Sequence, residues 1–254
     1  MANSCQIQWL GRIEYKAAAK LQQELVVKRI AREIPDMLLL LEHPPTYSVG
    51  LASRKELLML NRAELGRLDI AYHEADRGGS VMYHGPGQLV AYPILSLREY
   101  GYNYHSYIQA LESVIIRTLR TFNIHAFRQP GQRGVWVLPG HAPRYVSRWV
   151  EADESVAKIG IIGTKVNNAH VTSYGFYINV DPDLEYFDSI VPPGVSGCKV
   201  TSLKQVLNRS VKIGDVIQAV IQSFCEIFEL EPLETNSDFA ISDQATVTSA
   251  RGYA

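Results

Sequence analysis

Cysteine is scarce in this chain of 254 residues: there are three, Cys5, Cys198 and Cys225, far apart in sequence. An odd number at such spacings excludes a disulfide framework and offers no metal knuckle, and it points to a reducing compartment. An excess of charge of either sign is lacking as well. Twenty-five Lys and Arg stand against 26 Asp and Glu, a formal net charge of −1, which gives no electrostatic footprint for a nucleic-acid backbone. No apolar stretch reaches the roughly 20 residues of a membrane-crossing helix. Nor does the N-terminus join a basic segment to an apolar run of signal-peptide length. No pair or trio of His, Asp, Glu and Cys has metal-ligand spacing, so neither a metal nor a cofactor is expected. The expectation is a cytoplasmic protein with neither nucleic acid nor membrane among its partners.

What is present is an interleaving of two periodicities. Residues 15–34 place Ala18, Leu21, Leu25, Val26 and Ile30 on one stripe of an amphipathic helix. Residues 36–42 (DMLLLLE) form a short continuous apolar run stopped by His43-Pro44-Pro45, which suits a buried strand followed by a turn. Residues 68–75 and 89–97 read as strands around a glycine-rich connection. Residues 104–122 carry helical periodicity, and 135–138, 158–162 and 175–180 are further strands. A late helix covers 212–228, with Cys225 on its apolar face beside Ile221 and Phe228. This pattern predicts an α/β (α+β) chain built on a mixed sheet flanked by helices. One domain over residues 1–232 is expected, with a loosely held tail over 233–254. His43 is read as a turn-shaping residue, His170 as solvent-facing, and Trp9, Trp136 and Trp149 as packing residues.

The densest chemistry lies in residues 77–92, RGGSVMYHGPGQLVAY. Gly78-Gly79 and Gly85-Pro86-Gly87 allow close backbone approach, while Arg77, Tyr83, His84 and Gln88 offer polar groups from the same loop. Either a pocket wall or a plain glycine-rich turn fits these residue types. No Lys-Ser/Thr pair follows the glycines and dinucleotide spacing is lacking, so phosphate cradling is the weaker reading.

This stretch resembles the signature of the lipoyl(octanoyl) transferase family. The likeness continues, in the family's order, through LLLLEHPPTYSVG, PGQRGVWV, AKIGIIGTKV, VTSYGFYINV and FDSIVPPGV…VTSL. The resemblance implies the fold of lipoate and biotin protein ligase catalytic domains. It also implies transfer of an octanoyl or lipoyl group from octanoyl-acyl-carrier protein to a lysine of lipoyl domains, those of α-keto-acid dehydrogenases and the glycine cleavage H protein. Lys158 matches the family's lysine, which withdraws a proton from the nucleophile. Arg77, Gly78, Gly79, Ser80, Val81, Met82, Tyr83, His84, Gly85 and Gln88 match the first substrate-binding motif. Ile161, Ile162 and Gly163, with Tyr174, Gly175, Phe176 and Tyr177, match segments flanking the acyl chain.

Three positions depart from the family's pattern. Pro193 stands where the family carries its nucleophilic cysteine, Tyr174 where it has a histidine, and Met82 where it has a threonine. Cys198 lies five residues past Pro193, on the order of 17 Å of extended contour that a turn through Gly194 and Gly197 can fold back. It is either a relocated nucleophile or an incidental loop residue. Lys199 beside it points the opposite way in an extended segment. Two functions stay open: an octanoyl transferase working through Cys198 or by direct transfer with Lys158 as base, or a relative that binds acyl chains, acyl-carrier protein or lipoyl domains without transfer. An ATP-dependent lipoate ligase ranks third, since no clear adenylate-forming loop is present.

Overall fold

The computed structural model describes residues 3–53, 58–138, 156–190 and 199–234. β1 (Asn3–Arg12) leads to α1 (Tyr15–Ile30), β2 (Asp36–Glu42) and β3 (Thr46–Val49). α2 (Arg62–Arg67) precedes β4 (Ala71–Glu74), β5 (Val81–His84) and β6 (Gln88–Ile94). Then come α3 (Tyr104–Thr121), β7 (Ala126–Gln129), β8 (Gln132–Val137), β9 (Ala157–Val166) and β10 (Thr172–Asn179). β11 (Lys199–Val200), α4 (Leu203–Leu207), α5 (Ile213–Phe228) and β12 (Leu230–Glu234) follow.

The expected mixed sheet forms. Its path is β12-β1-β2-β6-β10-β9-β8-β7, with β11 pairing β9, and β4-β3-β5 make a second sheet of three strands. β1 runs parallel to β2 and β12, and the path from β2 through β6, β10, β9 and β8 to β7 is antiparallel. β2 is central, between β1 and β6, which is why its leucines are apolar without alternation: both faces are covered. α3 and α5 pack together on one face, and α1 lies against β6 and β10.

Several boundaries differ from the sequence expectation, each for a local reason. α1 ends at Ile30 because Arg32 takes a left-handed backbone (φ 60) ahead of Pro35. Ile30 is exposed, and the buried face instead includes Gln22 and Arg29. Arg29 is there to meet buried Asp36: its Nε donates to Asp36 Oδ1 at 2.6 Å and its Nη2 to Glu99 at 2.7 Å. The segment 68–75 opens as the end of α2, whose N-terminus carries a reciprocal Asn61–Glu64 capping box. The glycine-rich connection contains a strand, β5. At the C-terminal side, β12 pairs with β1 through Leu233↔Gln6 and Ile7↔Glu234, so 233 and 234 belong to the sheet.

Candidate active site

Strand alternation sorts the large sheet into two faces. Leu38 and Leu40 of β2, Ala91 of β6, and Phe176 and Ile178 of β10 meet α3 and α5 in one core cluster. Met37, Leu39, Leu41, Val90, Tyr92 and Tyr177 turn to the α1 side, with Tyr15, Met82 and Tyr174. On that side lies a narrow slot lined by Tyr15, Arg77, Met82, His84, Val90, Tyr92, Gly163, Tyr174, Gly175, Phe176 and Tyr177.

Eight of the residues singled out from sequence thus converge: Arg77, Met82, His84, Gly163, Tyr174, Gly175, Phe176 and Tyr177. Others do not line the slot. Tyr83 points to a separate cluster, stacked on Tyr186 at 4.9 Å and tilted against Tyr47 at 5.4 Å. Val81 lines a different cleft of about 190 Å³ on the small sheet, with Val49, Leu58, Arg62, Leu65 and Tyr72. That cleft is larger, but it holds none of the other candidate residues.

The polar residues of the motif form one hydrogen-bonded chain. Arg77 Nη2 donates to Ser48 Oγ at 2.6 Å and Ser48 O at 2.8 Å, and Nη1 donates to Gly78 O and Ser80 O at 3.0 and 3.2 Å. Ser48 Oγ lies 3.1 Å from His84 Nε2, and His84 Nδ1 lies 2.9 Å from Gln88 Oε1. A carbonyl oxygen only accepts, so His84 carries its proton on Nδ1 and Nε2 receives the Ser48 hydroxyl. Gln88 Nε2 donates to Tyr83 O (3.2 Å) and Asn179 Oδ1 (3.0 Å), and Asn179 Nδ2 donates to Thr201 O (3.0 Å). Thr201 N in turn donates to Lys158 O at 2.9 Å. The chain therefore ties the glycine-rich motif to the strand that carries Lys158. Ser48, Asn179 and Thr201 lie inside stretches that carry the family resemblance, but none was singled out there, since each is an ordinary polar residue whose role exists only in three dimensions.

Burial holds His84 neutral, well below the ordinary imidazole range, and the neighbouring His43 and Arg77 push the same way. His43 is also core: Nδ1 donates to Ile13 O at 2.7 Å and Nε2 lies 2.9 Å from the Tyr92 hydroxyl. Burial lowers it to about 4. Tyr15 stacks on His73 and His84, both at 5.5 Å, and tilts against His43 at 5.1 Å. With both ring nitrogens engaged, His84 holds architecture. His170 is exposed, as expected from sequence.

Lys158 owes its direction to a β-bulge. Val135 pairs with Gly160 but Trp136 pairs with Lys158, so β9 carries one extra residue, Ile159, against β8. Ile159 and Ile162 both enter the α3–α5 core, while Ile161 packs on the α1 side. The inserted residue turns Lys158 onto the face of Ile161 and Gly163. There its Nζ sits 4.5 Å from the centre of the Trp136 ring, a cation–π distance. Its stem lies over Gly134, where an added Cβ would come within 3.5 Å of Lys158 Cδ and Cε and 2.7 Å of Gly160 O. Trp136 is more than the packing residue its sequence context suggested: it is the seat of the ammonium.

Pro193 and Cys198 lie outside the described residues. What is described is the strand that follows: Lys199 pairs with Ala157 and Val200 with Lys158. Of the described cysteines, Cys5 and Cys225 are buried, and burial raises both thiols, Cys225 to about 11 with Glu226 adding to it. Neither is a thiolate at neutral pH. Among the described residues no three His, Cys, Asp or Glu side chains converge as metal ligands, and no helix is long and apolar enough to cross a membrane.

Comparison with known proteins identifies the class of catalytic domain. The sequence profile of the lipoyl protein ligase A/B catalytic domain matches residues 14–225; the chain belongs to this family. An octanoyltransferase of Chloroflexus aggregans is 41% identical over 228 residues, covering 90% of this chain and 96% of that one. An octanoyltransferase of Roseiflexus is 39% identical, covering 88% and 87%. Among solved structures, the bipartite lipoate protein ligase of Thermoplasma acidophilum superposes with a TM-score of 0.67 at 14% identity, covering 93% of this chain and 88% of that one. At that identity the likeness concerns the fold alone.

Proposed function

We propose that this chain moves an octanoyl group from acyl-carrier protein to the lysine of lipoyl domains, those of α-keto-acid dehydrogenases and the glycine cleavage H protein, in the cytoplasm. Its place among the octanoyltransferases makes it an acyltransferase of protein lipoylation. The observation that carries the reading is the bulge at Ile159, which sets Lys158 on the face of the sheet that holds the aromatic slot. Lys158 and Gly163 are about 16 Å apart along β9 at the usual rise of a strand. An acyl chain with its tail at Gly163 points its carbonyl end along the strand toward the amine.

Two routes balance chemically. In the first, a cysteine thiolate adds to the acyl thioester, the carrier's thiolate leaves and takes a proton, and the acceptor lysine then displaces the cysteine to form the amide. Pro193 has no thiol for this. Cys198 precedes Lys199, which pairs with Ala157 next to Lys158, and this supports Cys198 as the sulfur. In the second route Lys158 takes a proton from the acceptor amine, which attacks the carrier thioester directly; the amide forms, the carbon–sulfur bond breaks, and the carrier's thiolate leaves with the proton that Lys158 returns.

The other reading, a relative that binds without transfer, meets the same obstacle as transfer does: the slot is nearly filled, with an open volume of about 10 Å³. Intact-mass measurement after incubation with octanoyl-acyl-carrier protein separates these readings. An octanoyl adduct that vanishes in Cys198→Ser establishes the covalent route. Octanoylated lipoyl domain without an adduct, abolished in Lys158→Ala, establishes direct transfer. Neither product leaves binding without transfer.

A further inference from the structure

A cavity of about 150 Å³ is what one benzene-sized ligand occupies, so a slot of about 10 Å³ admits no eight-carbon chain until a side chain leaves it. Two of the residues that line it, Met82 and Tyr174, are held very differently. Met82 is a buried thioether whose methyl lies against two bare glycines. A Cβ added to Gly163 would stand 2.6 Å from Met82 Cε and 3.0 Å from its Sδ, and one added to Gly79 would stand 3.2 Å from Cε. No hydrogen bond can hold that end, and an unbranched side chain changes rotamer at little cost.

Tyr174 is fastened at both ends. Its backbone N–H donates to Gln22 Oε1 at 2.5 Å, its hydroxyl donates to Asp76 Oδ1 at 2.8 Å, and Asp76 is itself paired with Lys165. Its backbone is left-handed, φ 55, a conformation that a bulky side chain adopts only under constraint. The neighbours Phe176 and Ile178, at even positions of β10, face the α3–α5 core, whereas Tyr174 stands with the α1-side cluster. The left-handed backbone is what turns the ring into the slot, where it meets Tyr92 edge-on at 6.1 Å.

We infer that Met82 is a displaceable plug of the acyl slot and Tyr174 its fixed end wall: the incoming chain swings the thioether aside, and the tyrosine ring limits its length. This rests on the reading above that the slot receives the acyl chain, and the test keeps the two apart. The full chain, labelled with ¹³C at its four methionine methyls, is titrated with octanoyl-pantetheine, the Met82 signal being assigned by its loss in Met82→Ala. Acyl-carrier proteins charged with chains of six to twelve carbons are compared as donors in parallel.

The Met82 methyl resonance shifts on titration while that of exposed Met59 stays put. Met82→Ala lowers the KM for octanoyl donor several-fold and keeps the order of chain preference. Tyr174→Gly, which suits the left-handed backbone, raises the relative kcat/KM of the ten-carbon donor roughly fifteenfold, about fourfold per additional buried methylene. Tyr174→Phe, which keeps the ring, leaves the preference near eight. Transfer with an unmoved Met82 signal overturns the plug, and an unchanged chain-length profile in Tyr174→Gly overturns the wall; either leaves the transferase reading standing. A shifted signal without transfer keeps the plug and sinks the transferase reading, and silence in both experiments sinks both.

Discussion

The two faces of the large sheet are built from the same strands and do opposite work. The α3–α5 side is aliphatic and closed by Val114, Ile115, Val216, Val220 and Phe224, all fully buried. The α1 side is aromatic and polar: Tyr15, Tyr92, Tyr174 and Tyr177 stand with Arg77, His43 and His84. Buried polar atoms on that side remain without partners among the described residues, Tyr15 Oη and Arg77 Nε among them. Among the described residues Arg77 makes no ion pair either, its acceptors being carbonyls and a hydroxyl. Unpartnered buried atoms occur on the other face too, at Tyr107 Oη and Thr118 Oγ1 of α3, so what sets the α1 side apart is its buried arginine and histidines and the left-handed backbone of Tyr174.

That division predicts that activity and stability separate by face. On the α1 side, Lys158→Ala is expected to lower kcat/KM for octanoyl transfer by roughly 10²–10⁴-fold, the usual worth of a proton-transferring group. The thermal midpoint should scarcely move, because the side chain is only half-buried. A kinetic assay beside a melting curve checks both. On the other side, Phe224→Ala removes a fully buried ring and should cost about 3–5 kcal/mol of unfolding free energy, with kcat per folded molecule unchanged. Urea unfolding measures it, and a large kcat loss at full folding would erase the distinction between the faces.

The aliphatic face was the legible one. The 3.6-residue repeat of α3 and α5 and the apolar run of β2 point to a single core, and all three elements form close to their expected bounds. The polar face was legible only where a motif named it. Composition could not place TYSV and VMYH as paired strands, since each is four residues long and fully sheltered only once the other exists. Nor does periodicity reveal a bulge: Ile159 looks like one more apolar strand residue, yet it decides which way Lys158 faces. Gln22 and Arg29 sat unread among the polar residues of α1 because their partners, the Tyr174 amide and Asp36, are distant in sequence.

A smaller effect comes from the neutral histidines of the α1 side. His43 binds its proton at about 4 when folded and near 6.5 when unfolded. The unfolded chain therefore takes up protons first as pH falls. Stability from this group is complete above pH 6.5 and is lost progressively toward pH 4, on the order of 2 kcal/mol between pH 7 and pH 5. His84, lowered by burial, acts in the same direction. Urea midpoints measured from pH 7.5 to pH 4.5 should fall along this course, and His43→Gln should flatten it. A midpoint that rises on acidification would place charged histidines in the α1-side cluster and contradict its packing.

The smallest effect expected tests the seat of the amine. The Trp136 face favours the ammonium over the free amine by about 0.5–2 kcal/mol, so an aliphatic replacement should make Lys158 easier to deprotonate. In Trp136→Leu, the pH at which transfer reaches half its maximal rate should move down by roughly 0.4–1.5 units, while Trp136→Phe, which keeps a π face, should move it less. Trp136 is buried, and either variant also loses packing. That loss lowers the melting temperature and does not displace a pH profile, which makes the profile the deciding measurement. An identical profile in both variants and the parent chain would mean that the ring holds Lys158 in place without influencing its proton.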